Sequence, residues 1–526
     1  MTKFQKCFDM ADKRLGGLIF IVVCLAYLSK VIYALYFSTA DFLAATIADD
    51  GFYYWLIAKN LWQLGMSSAD YGQTLTSGYH PLWAWLLMPL TAIGGSQIQE
   101  MRIFISLSVL ISILSFVLMY RIFPANQIAK FFVYGLVVSA FSFQINSMSG
   151  LEWPLILLCN VIYFYCLLRV GTPLLIFLGL GVFASLSRTD FGAIPLIVFI
   201  VSAVFYYFNK DKKTSYLMKA SLATLLGATI GLIITFSYFY LVTGQFSQGS
   251  ALVKHMWAKE GFLTPLSIVF QFARALFFIP DMPHSVVVYV HEHTAQLLFA
   301  FFVSFFLVLL GLYKVRLTIK SMNFNNHNIV LIVSSLFILV FYLLFYGLNT
   351  VEVQPWYTAQ IIIPLVFLLL QLITFIFGQG SWSFMRPVAT FVFLLSISMN
   401  LITSFLNTEA FPDQIELKNL GNYLIVNQEK QIVGYSGNGV VSFFGGQRVI
   451  NLDGLVNNEI YAYMPKNLPC YLLDKNIKVY NGFGASERFF GLDLTSIMSS
   501  PLKGSPLPMY LVDEEKIRAT YGCLSK

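Results

Sequence analysis

Long runs of apolar residues, separated by short polar segments, make up most of this chain. The runs Gly16–Phe37 and Met218–Val242 are each long enough to cross about 30 Å of hydrocarbon as a helix. Helices are the expected spanning form, because backbone groups in lipid must find their hydrogen bonds within the segment. The pattern therefore predicts an α-helical polytopic membrane protein.

Basic residues cluster in some of the connecting segments and predict the orientation of the chain. Lys210–Lys213 forms one such segment, and Lys314, Arg316 and Lys320 form another. Both are expected on the cytoplasmic side. Counting from them gives about 11 transmembrane helices, if the short apolar segment Pro81–Gly95 is an interfacial or re-entrant helix and does not cross. The predicted crossings are 16–37, 103–121, 129–146, 151–168, 173–187, 191–208, 218–242, 296–313, 328–348, 358–377 and 387–407.

The same count divides the chain into two predicted parts. Residues 1–407 form the transmembrane part, with a first outer loop at about 38–102. Residues 408–526 lack an apolar run and are expected to form a small C-terminal α/β domain on the outer face. Cys470 and Cys523 lie in that domain and can form a disulfide if the compartment is oxidising. The strand candidates are Lys430–Tyr435, Arg448–Leu452, Ile477–Tyr480 and Met509–Val512.

Composition agrees with a membrane location and argues against nucleic acid as a partner. The 526 residues are 57% hydrophobic and 11% charged, whereas a soluble chain is about 25% charged. The net charge of +7 comes from Lys and Arg residues that lie mostly in short loops. It carries information on topology and does not form a basic binding face.

The acidic pair Asp49-Asp50 follows the first apolar run directly. Adjacent carboxylates at a membrane boundary are costly unless they bind a cation or do acid–base work. One of them can accept a proton from an acceptor hydroxyl, while its neighbour orients it or holds a metal. The alternative interpretation is an ordinary helix cap. Tyr53 and Tyr54 follow on the same segment.

A second polar motif, Thr76-Ser77-Gly78-Tyr79-His80, closes the first outer loop. Thr76 offers a hydroxyl, His80 a titratable ring, and Tyr79 a flat face suited to a sugar. The alternative is a turn next to an interfacial aromatic belt. Both interpretations stay open from the residues alone.

Several charged and aromatic residues are expected on the same outer face. Glu152 opens a span, and Arg188 either pairs with Asp190 or contacts a phosphate, which its planar fork suits. The remaining candidates are Arg102 as a similar cation, Lys254 and His255 for a lipid phosphate, and Trp356 and Tyr357 as interface anchors or ligands. The glycine-rich segment Gly434–Gly439 is read as a tight turn or, less simply, a phosphate cradle.

These motifs, in this order, resemble the GT-C superfamily of membrane glycosyltransferases, in particular bacterial arabinofuranosyl- and mannosyltransferase-like proteins. Asp49–Tyr54 resembles the acidic motif of that superfamily's first outer loop. Leu75–Trp83 resembles the T-N-G-[FY]-H-P-L-W stretch of a bacterial branch, with Ser77 in place of the usual Asn. Three more elements are similar to G-[ML]-E, A-R-x-D and V-N-L-D-G-L-V-N, namely Ser149–Glu152, Leu186–Asp190 and Val449–Asn457.

The resemblance implies an inverting sugar transfer from a polyprenyl-phosphate donor to a glycan, lipid or protein acceptor. Asp49 would act as the base, with Asp50 as the alternative. Arg188, Lys254 and His255 would stabilise the leaving lipid phosphate. Glu152 and Asp190 would shape the donor pocket. A divalent metal is possible and is left open.

The resemblance also implies a location in a bacterial inner membrane, among membrane lipids, with the active site facing the periplasm. A transporter or flippase of lipid-linked sugars is the alternative, because it would also carry charges among apolar helices. Transporters often have repeated halves and binding sites at the membrane midplane. The sequence has no evident internal repeat, and its acids cluster at one predicted face.

Overall fold

Apolar helices form most of the computed structural model of the chain, and a small mixed sheet lies near the C-terminus. The structure describes residues 3–123, 125–260, 326–349, 353–376, 386–406, 409–427, 431–446, 449–484, 486–487, 492 and 498–523. The predicted crossing 296–313 and the basic residues Lys314, Arg316 and Lys320 lie outside the described residues.

The transmembrane part contains helices of very different lengths. A π-helical turn, Tyr33–Phe37, extends the first helix, and short 3₁₀ turns at Thr189–Gly192 and Pro355–Thr358 precede two others. The α-helices are α1 (Lys3–Ile32), α2 (Ala40–Ala44), α3 (Asp49–Leu64), α4 (Pro81–Thr91), α5 (Gln97–Ile122), α6 (Gln127–Ser139), α7 (Phe141–Asn146), α8 (Trp153–Leu168), α9 (Leu174–Ser187), α10 (Ala193–Asn209), α11 (Lys212–Thr243), α12 (Gly249–Glu260), α13 (Asn326–Asn349), α14 (Ala359–Ile376) and α15 (Arg386–Leu406).

Seven of the described helices are long and apolar enough to cross a membrane: α1, α5, α10, α11, α13, α14 and α15. This confirms the predicted polytopic helical class. The predicted crossings at α6, α8 and α9 are helices of only 13, 16 and 14 residues, or about 20–24 Å at 1.5 Å per residue. The total of 11 crossings therefore stays a prediction.

Two local features depart from a simple run of spanning helices. The predicted crossing 129–146 is divided at Ala140, where the backbone leaves the helical region between α6 and α7. The apolar segment after His80 forms α4, which has 11 residues and packs mainly against α3. A helix of this length cannot span the hydrocarbon, in agreement with the expectation that this segment does not cross.

Glycines allow α9 and α11 to pack closely. A Cβ on Gly181 would lie 2.1 Å from the Thr224 carbonyl oxygen, and one on Gly227 would lie 2.0 Å from the Leu178 carbonyl oxygen. Small residues at such contacts are typical of helix pairs in membranes, where close van der Waals packing drives association. This pair holds Arg188, at the end of α9, in a defined position.

The C-terminal part forms the predicted α/β domain. It begins with α16 (Gln414–Asn427), and its five strands are ordered β2-β1-β3-β5-β4, with β1, β2 and β3 parallel and β5 antiparallel to β3. The strands and the other α-helices described are β1 (Val433–Tyr435), α17 (Gly439–Phe444), β2 (Val449–Asn451), α18 (Leu468–Asp474), β3 (Val479–Tyr480), β4 (Met498–Pro501), β5 (Tyr510–Val512) and α19 (Glu514–Tyr521).

Cys470 and Cys523, whose pairing the sequence left open, form a disulfide. Cys470 lies in α18, and Cys523 follows α19 by two residues. The bond therefore ties the last helix to the domain, beside a core that includes Leu472 and Ile517. Four of the five strands match the predicted segments, whereas β4 was not predicted.

We predict that Gly181→Ala destabilises the helix bundle, by about 2 kcal/mol or more, because its Cβ would force α9 away from α11. Gly179→Ala is the matched control, since a Cβ there meets no atom within 4 Å. Thermal unfolding of the purified protein in detergent measures both. Equal unfolding temperatures for the two variants would contradict the packing argument.

Candidate active site

Two adjoining cavities of about 60 and 210 Å³ form a cleft at one end of the helix bundle. Both cavities include His80, Arg188, Gln248, Lys254 and Tyr357 in their walls, so we describe them together as the cleft. The cleft is lined by residues of the first outer loop, of α12 and of the segment before α14. Leu455 and Val456 of the C-terminal domain also line it.

The two adjacent aspartates have different surroundings. Asp50 lies in the wall of the cleft with Tyr53 and Tyr54, whereas Asp49 does not line it. The Oδ1 atom of Asp49 instead accepts a hydrogen bond of 2.8 Å from the backbone N–H of Val440. Successive residues of a helix point about 100° apart, so only one of the two carboxylates faces the cleft.

The backbone around this pair is held from two sides. A Cβ on Gly51 would lie 2.3 Å from the carbonyl oxygen of Ser149, and one on Gly439 would lie 2.2 Å from that of Asp49. The acidic start of α3 is therefore clamped between the turn before α8 and the turn after β1. The glycine-rich segment Gly434–Gly439 runs from β1 through a short bend to the first residue of α17, and its glycines allow close approach to Asp49.

Burial raises the pKa of the acidic groups in this region. The pKa of Asp49 is raised to about 6, although the hydrogen bond from Val440 opposes the shift. Burial also raises the pKa of Asp50, opposed by the positive charge of Lys254. Asp453 follows β2, and burial raises its pKa to about 7, with further contributions from Asp49 and Asp50. The three carboxylates interact electrostatically.

Arg188 is the centre of a buried ion cluster. Its Nη1 donates to Glu152 Oε1 at 2.7 Å, and its Nε and Nη2 donate to the two carboxylate oxygens of Asp190 at 3.2 Å each. The residue is 5% exposed and Glu152 is 3% exposed. Tyr346 donates to Asp190, and Gln360 donates to the other oxygen of Asp190 at 2.8 Å.

Lys254 supplies a second positive charge to the cleft. Its Nζ donates to the hydroxyl oxygen of Tyr357 at 3.1 Å, and the ring of Tyr357 stacks on that of Tyr346 with centroids 4.6 Å apart. Burial lowers the pKa of Lys254, but Tyr357 and Asp50 more than offset this, so its pKa is raised. Lys254 therefore stays charged opposite Asp50.

His80 is uncharged at neutral pH, because burial lowers its pKa to about 4. Its Nε2 lies 3.7 Å from Glu152 Oε1. Its Nδ1 is buried and has no hydrogen-bond partner among the residues that the structure describes. A buried polar atom without a partner is costly, so this nitrogen is suited to a hydrogen bond with a ligand.

The C-terminal domain closes one side of the cleft through the carboxyl ends of its parallel strands. Asn438, after β1, donates its backbone N–H to Tyr53 at 2.9 Å. Asn458 accepts from the N–H of Ser77 at 3.0 Å and donates to its hydroxyl at 2.7 Å. A Cβ on Gly78 would lie 1.8 Å from the Leu455 carbonyl oxygen. Ligands of open α/β sheets commonly bind at this edge.

Most of the predicted site residues come together here. The cleft walls contain Asp50, Tyr53, Tyr54, Tyr79, His80, Glu152, Arg188, Asp190, Lys254, His255, Trp356 and Tyr357. Thr76 is buried, and its Oγ1 accepts from the N–H of Gly78, so it shapes the turn. Arg102 lies apart from the cleft and donates to the carbonyls of Tyr36 and Ser38; its predicted role as a phosphate ligand does not fit this position.

Other cleft residues were not predicted. Leu455 and Val456 had a signal, since they belong to the Val449–Asn457 element. Gln248 lies just before α12 and donates to the carbonyl of Tyr79 at 3.4 Å, but nothing in its local pattern distinguishes it. Tyr346 lies within an apolar helix, where an aromatic residue is most often a packing residue.

Among the described residues, no group of three His, Cys, Asp or Glu side chains is arranged to hold a metal ion.

The helix bundle and the C-terminal sheet together form a fold that is also found among solved structures. The chain is similar to the crystal structure of ArnT from Cupriavidus metallidurans bound to undecaprenyl phosphate, with a TM-score of 0.50 and 12% identity over 94% of this chain and 98% of that chain. The apo state of that protein aligns over the same shares with a TM-score of 0.47 and 13% identity. No family model matches the chain, and no curated protein matches it by sequence.

We predict that Glu152→Ala lowers the free energy of unfolding by about 3 kcal/mol or more, because among the described residues it leaves the buried Arg188 with Asp190 as its one remaining carboxylate. Asp41→Ala is the control. It removes an acid that is 53% exposed and pairs with Lys418, so the expected loss is below about 1 kcal/mol. Thermal unfolding in detergent compares them. A loss for Glu152→Ala as small as the control would refute the role of the buried pair.

Proposed function

We propose that this protein is an inverting glycosyltransferase, which transfers a sugar from a polyprenyl-phosphate donor to a hydroxyl group of an acceptor. The observation that carries the proposal is the arrangement of Asp50 opposite Lys254 and Arg188 in one cleft. Such a displacement needs a carboxylate base beside the acceptor hydroxyl and cations beside the leaving lipid phosphate. ArnT bound to undecaprenyl phosphate shares the fold, which supports a lipid phosphate as the donor's carrier.

In the proposed reaction, Asp50 takes the proton of the acceptor hydroxyl as its oxygen bonds to the anomeric carbon. The bond between that carbon and the phosphate oxygen breaks, and the electron pair leaves with the lipid phosphate. Lys254 and Arg188 stabilise the charge that develops there. A single displacement with attack opposite the leaving group inverts the anomeric configuration.

Asp49 is assigned a positioning role, which differs from the sequence-based preference for Asp49 as the base. Its carboxylate accepts the N–H of Val440 and so fixes the first turn of α3 relative to the C-terminal domain. Asp50 is the next residue on that turn. The direction of the Asp50 carboxylate therefore depends on the contact that Asp49 makes.

Neutral groups of the cleft are suited to the sugar. Trp356, Tyr54 and Tyr79 provide flat aromatic faces in its wall, and such faces pack against the apolar face of a pyranose or furanose ring. The Nδ1 of His80, which has no hydrogen-bond partner within the described part of the chain, is available for a hydroxyl group of the sugar. We assign His80 to substrate binding and not to acid–base catalysis, because its low pKa keeps it neutral.

We place the reaction at the periplasmic face of a bacterial inner membrane. The disulfide between Cys470 and Cys523 supports an oxidising compartment for the C-terminal domain, and this domain closes the cleft. The acceptor is a glycan, lipid or protein of the envelope. A flippase of lipid-linked sugars remains the competing function and is tested below.

We predict that Asp50→Asn lowers the rate of sugar transfer by about 10²–10⁴-fold, because an amide cannot accept the acceptor's proton. Asp49→Asn should lower it less, since its amide oxygen still accepts the N–H of Val440. Asp41→Asn, in the same loop, is the control and should retain the wild-type rate. The assay measures radiolabelled transfer from a panel of polyprenyl-phosphate sugars in proteoliposomes.

Full transfer by Asp50→Asn would rule out this residue as the base. Loss in Asp49→Asn with full activity in Asp50→Asn would instead assign the base to Asp49. Transbilayer movement of the donor without transfer to any acceptor in the wild-type protein would favour the flippase.

We predict an acidic limb in the pH profile of kcat/KM that lies above the usual aspartate range, because burial raises the pKa of Asp50, the proposed base, and the pKa values of the neighbouring Asp49 and Asp453 are also raised, to about 6 and about 7. The base must be ionised, so activity falls as pH falls through the apparent pKa of the coupled carboxylates. Asp453→Asn removes one negative charge from this group and therefore moves the limb to lower pH. The control is Glu459→Gln, which changes an acid paired with Lys475 and should leave the limb at the same pH. If Asp453→Asn does not move the limb, the electrostatic coupling between Asp453 and the acidic pair is contradicted.

A further inference from the structure

His80 lies where the two cavities of the cleft adjoin. Its side chain is in the wall of both, whereas Asp50 lines only the smaller cavity and Asp190 only the larger one. In the proposed reaction the acceptor hydroxyl lies at Asp50 and the leaving phosphate lies at Lys254 and Arg188. The sugar ring is the part of the substrates that joins these two ends, so it is the part that faces His80.

The segments that carry His80 and Glu152 are fixed against each other. The backbone N–H of His80 donates to the hydroxyl oxygen of Tyr54 at 3.2 Å. The indole Nε1 of Trp83, on the first turn of α4, donates to the carbonyl of Gly150 at 2.9 Å, in the turn that leads to Glu152. Within this arrangement the Nε2 atom of His80 lies 3.7 Å from Glu152 Oε1, and the imidazole side chain is only 12% exposed.

The carboxylate of Glu152 determines which nitrogen of the neutral His80 ring carries the proton. A lone pair on Nε2 would face a carboxylate oxygen that also accepts from Arg188 Nη1 at 2.7 Å, whereas an N–H group there is attracted to it. The separation of 3.7 Å is longer than a hydrogen bond, so the preference is electrostatic and is strengthened by burial. Burial has the largest effect on the pKa of His80 and lowers it; among the charged neighbours Glu152 comes first, ahead of Arg188, Asp190 and Lys254.

A neutral imidazole has one donor and one acceptor nitrogen. With the proton on Nε2, the Nδ1 atom of His80 is an acceptor and cannot donate. Ether, carboxylate and phosphate oxygens have no hydrogen to offer, so none of them satisfies this nitrogen. A hydroxyl group does.

We propose that His80 selects the donor sugar by accepting, at Nδ1, a hydrogen bond from one of the sugar's hydroxyl groups. This inference rests on the proposed function and specifies its substrate class. The donor is a sugar with an unmodified hydroxyl on the carbon that faces His80. Sugars that are deoxygenated, O-methylated or oxidised to an acid at that carbon are rejected.

The burial of Nδ1 makes this selection effective. Nδ1 is shielded from solvent and has no hydrogen-bond partner among the residues that the structure describes. A sugar that lacks the hydroxyl would leave this nitrogen buried and unpaired, which is the usual reason why such a site rejects the analogue. We expect a loss of about 10–100-fold in kcat/KM for the analogue.

The kinetic test uses the full-length protein in proteoliposomes and the unmodified donor that it accepts. Each hydroxyl of the donor sugar is replaced in turn by hydrogen or by fluorine, which is similar in size to a hydroxyl but cannot donate. At one position of the ring, both replacements should lower kcat/KM by about 10–100-fold.

Two variants of similar size separate the acceptor atom from the shape of the side chain. His80→Asn places an amide oxygen near the position of Nδ1, so it should retain the preference for the hydroxyl at that ring position. His80→Leu has only methyl groups there, so it should use the hydroxyl and fluoro donors about equally. The comparison is a ratio of kcat/KM values within each variant, so a lower overall rate does not affect it.

Nitrogen NMR reads the tautomer of His80 without any transfer reaction. The protein is labelled with ¹⁵N in its six histidines, and the signals absent from His80→Asn belong to His80. We expect a proton on Nε2 and none on Nδ1 at neutral pH.

Three results would overturn this inference while leaving the proposed function intact. These are a proton on Nδ1, equal kcat/KM for the hydroxyl, deoxy and fluoro donors at every ring position, or a position-specific loss that persists in His80→Leu. Absence of transfer from every unmodified donor would instead contradict the proposed function, and this inference with it.

Discussion

The structure around the cleft depends on neutralising one buried guanidinium. Arg188 is nearly removed from solvent, and a buried ion is tolerated only when partners with good geometry surround it. Glu152 comes from the start of α8 and Asp190 from the turn before α10, while Tyr346 of α13 and Gln360 of α14 complete the hydrogen bonds of Asp190. The ends of several apolar helices therefore have to meet at one point, and the cleft is the space that they leave.

The C-terminal domain is part of the same site and is not an appendage to the bundle. The turns after β1 and β2 contact Tyr53, Asp49 and the loop at Ser77. In each of these contacts the donor is a backbone N–H. The contacts therefore fix the position of the C-terminal domain against the bundle and add no charged group to the cleft. Asp49 is used in this docking, and Asp50 is left facing the two cations. Two adjacent, identical residues therefore have different surroundings.

Much of the architecture followed from local patterns. Hydropathy predicted the membrane-spanning class, because a helix that lies in lipid needs a long stretch of apolar residues, and such stretches are visible in a single sequence. Strands β1, β2, β3 and β5 were predicted because each contains Val, Ile or Tyr near a glycine-rich or polar break. Strand β4 was missed, because Met498–Pro501 contains two serines and a proline and becomes a strand only by pairing with β5. The break at Ala140 was missed for a similar reason, since nothing local interrupts the apolar run.

The sequence by itself determined that this is a helical membrane protein with a folded C-terminal domain. It also identified most of the polar residues of the cleft, because a charged side chain next to an apolar run is energetically costly unless it has a partner or a function. Only the tertiary structure decided which of Asp49 and Asp50 faces the cleft and that Arg102 lies elsewhere. It also decided that Tyr346 and Gln360 join the ion cluster. The physical reason is that side-chain direction depends on how helices rotate and dock against each other, and those contacts join residues hundreds of positions apart.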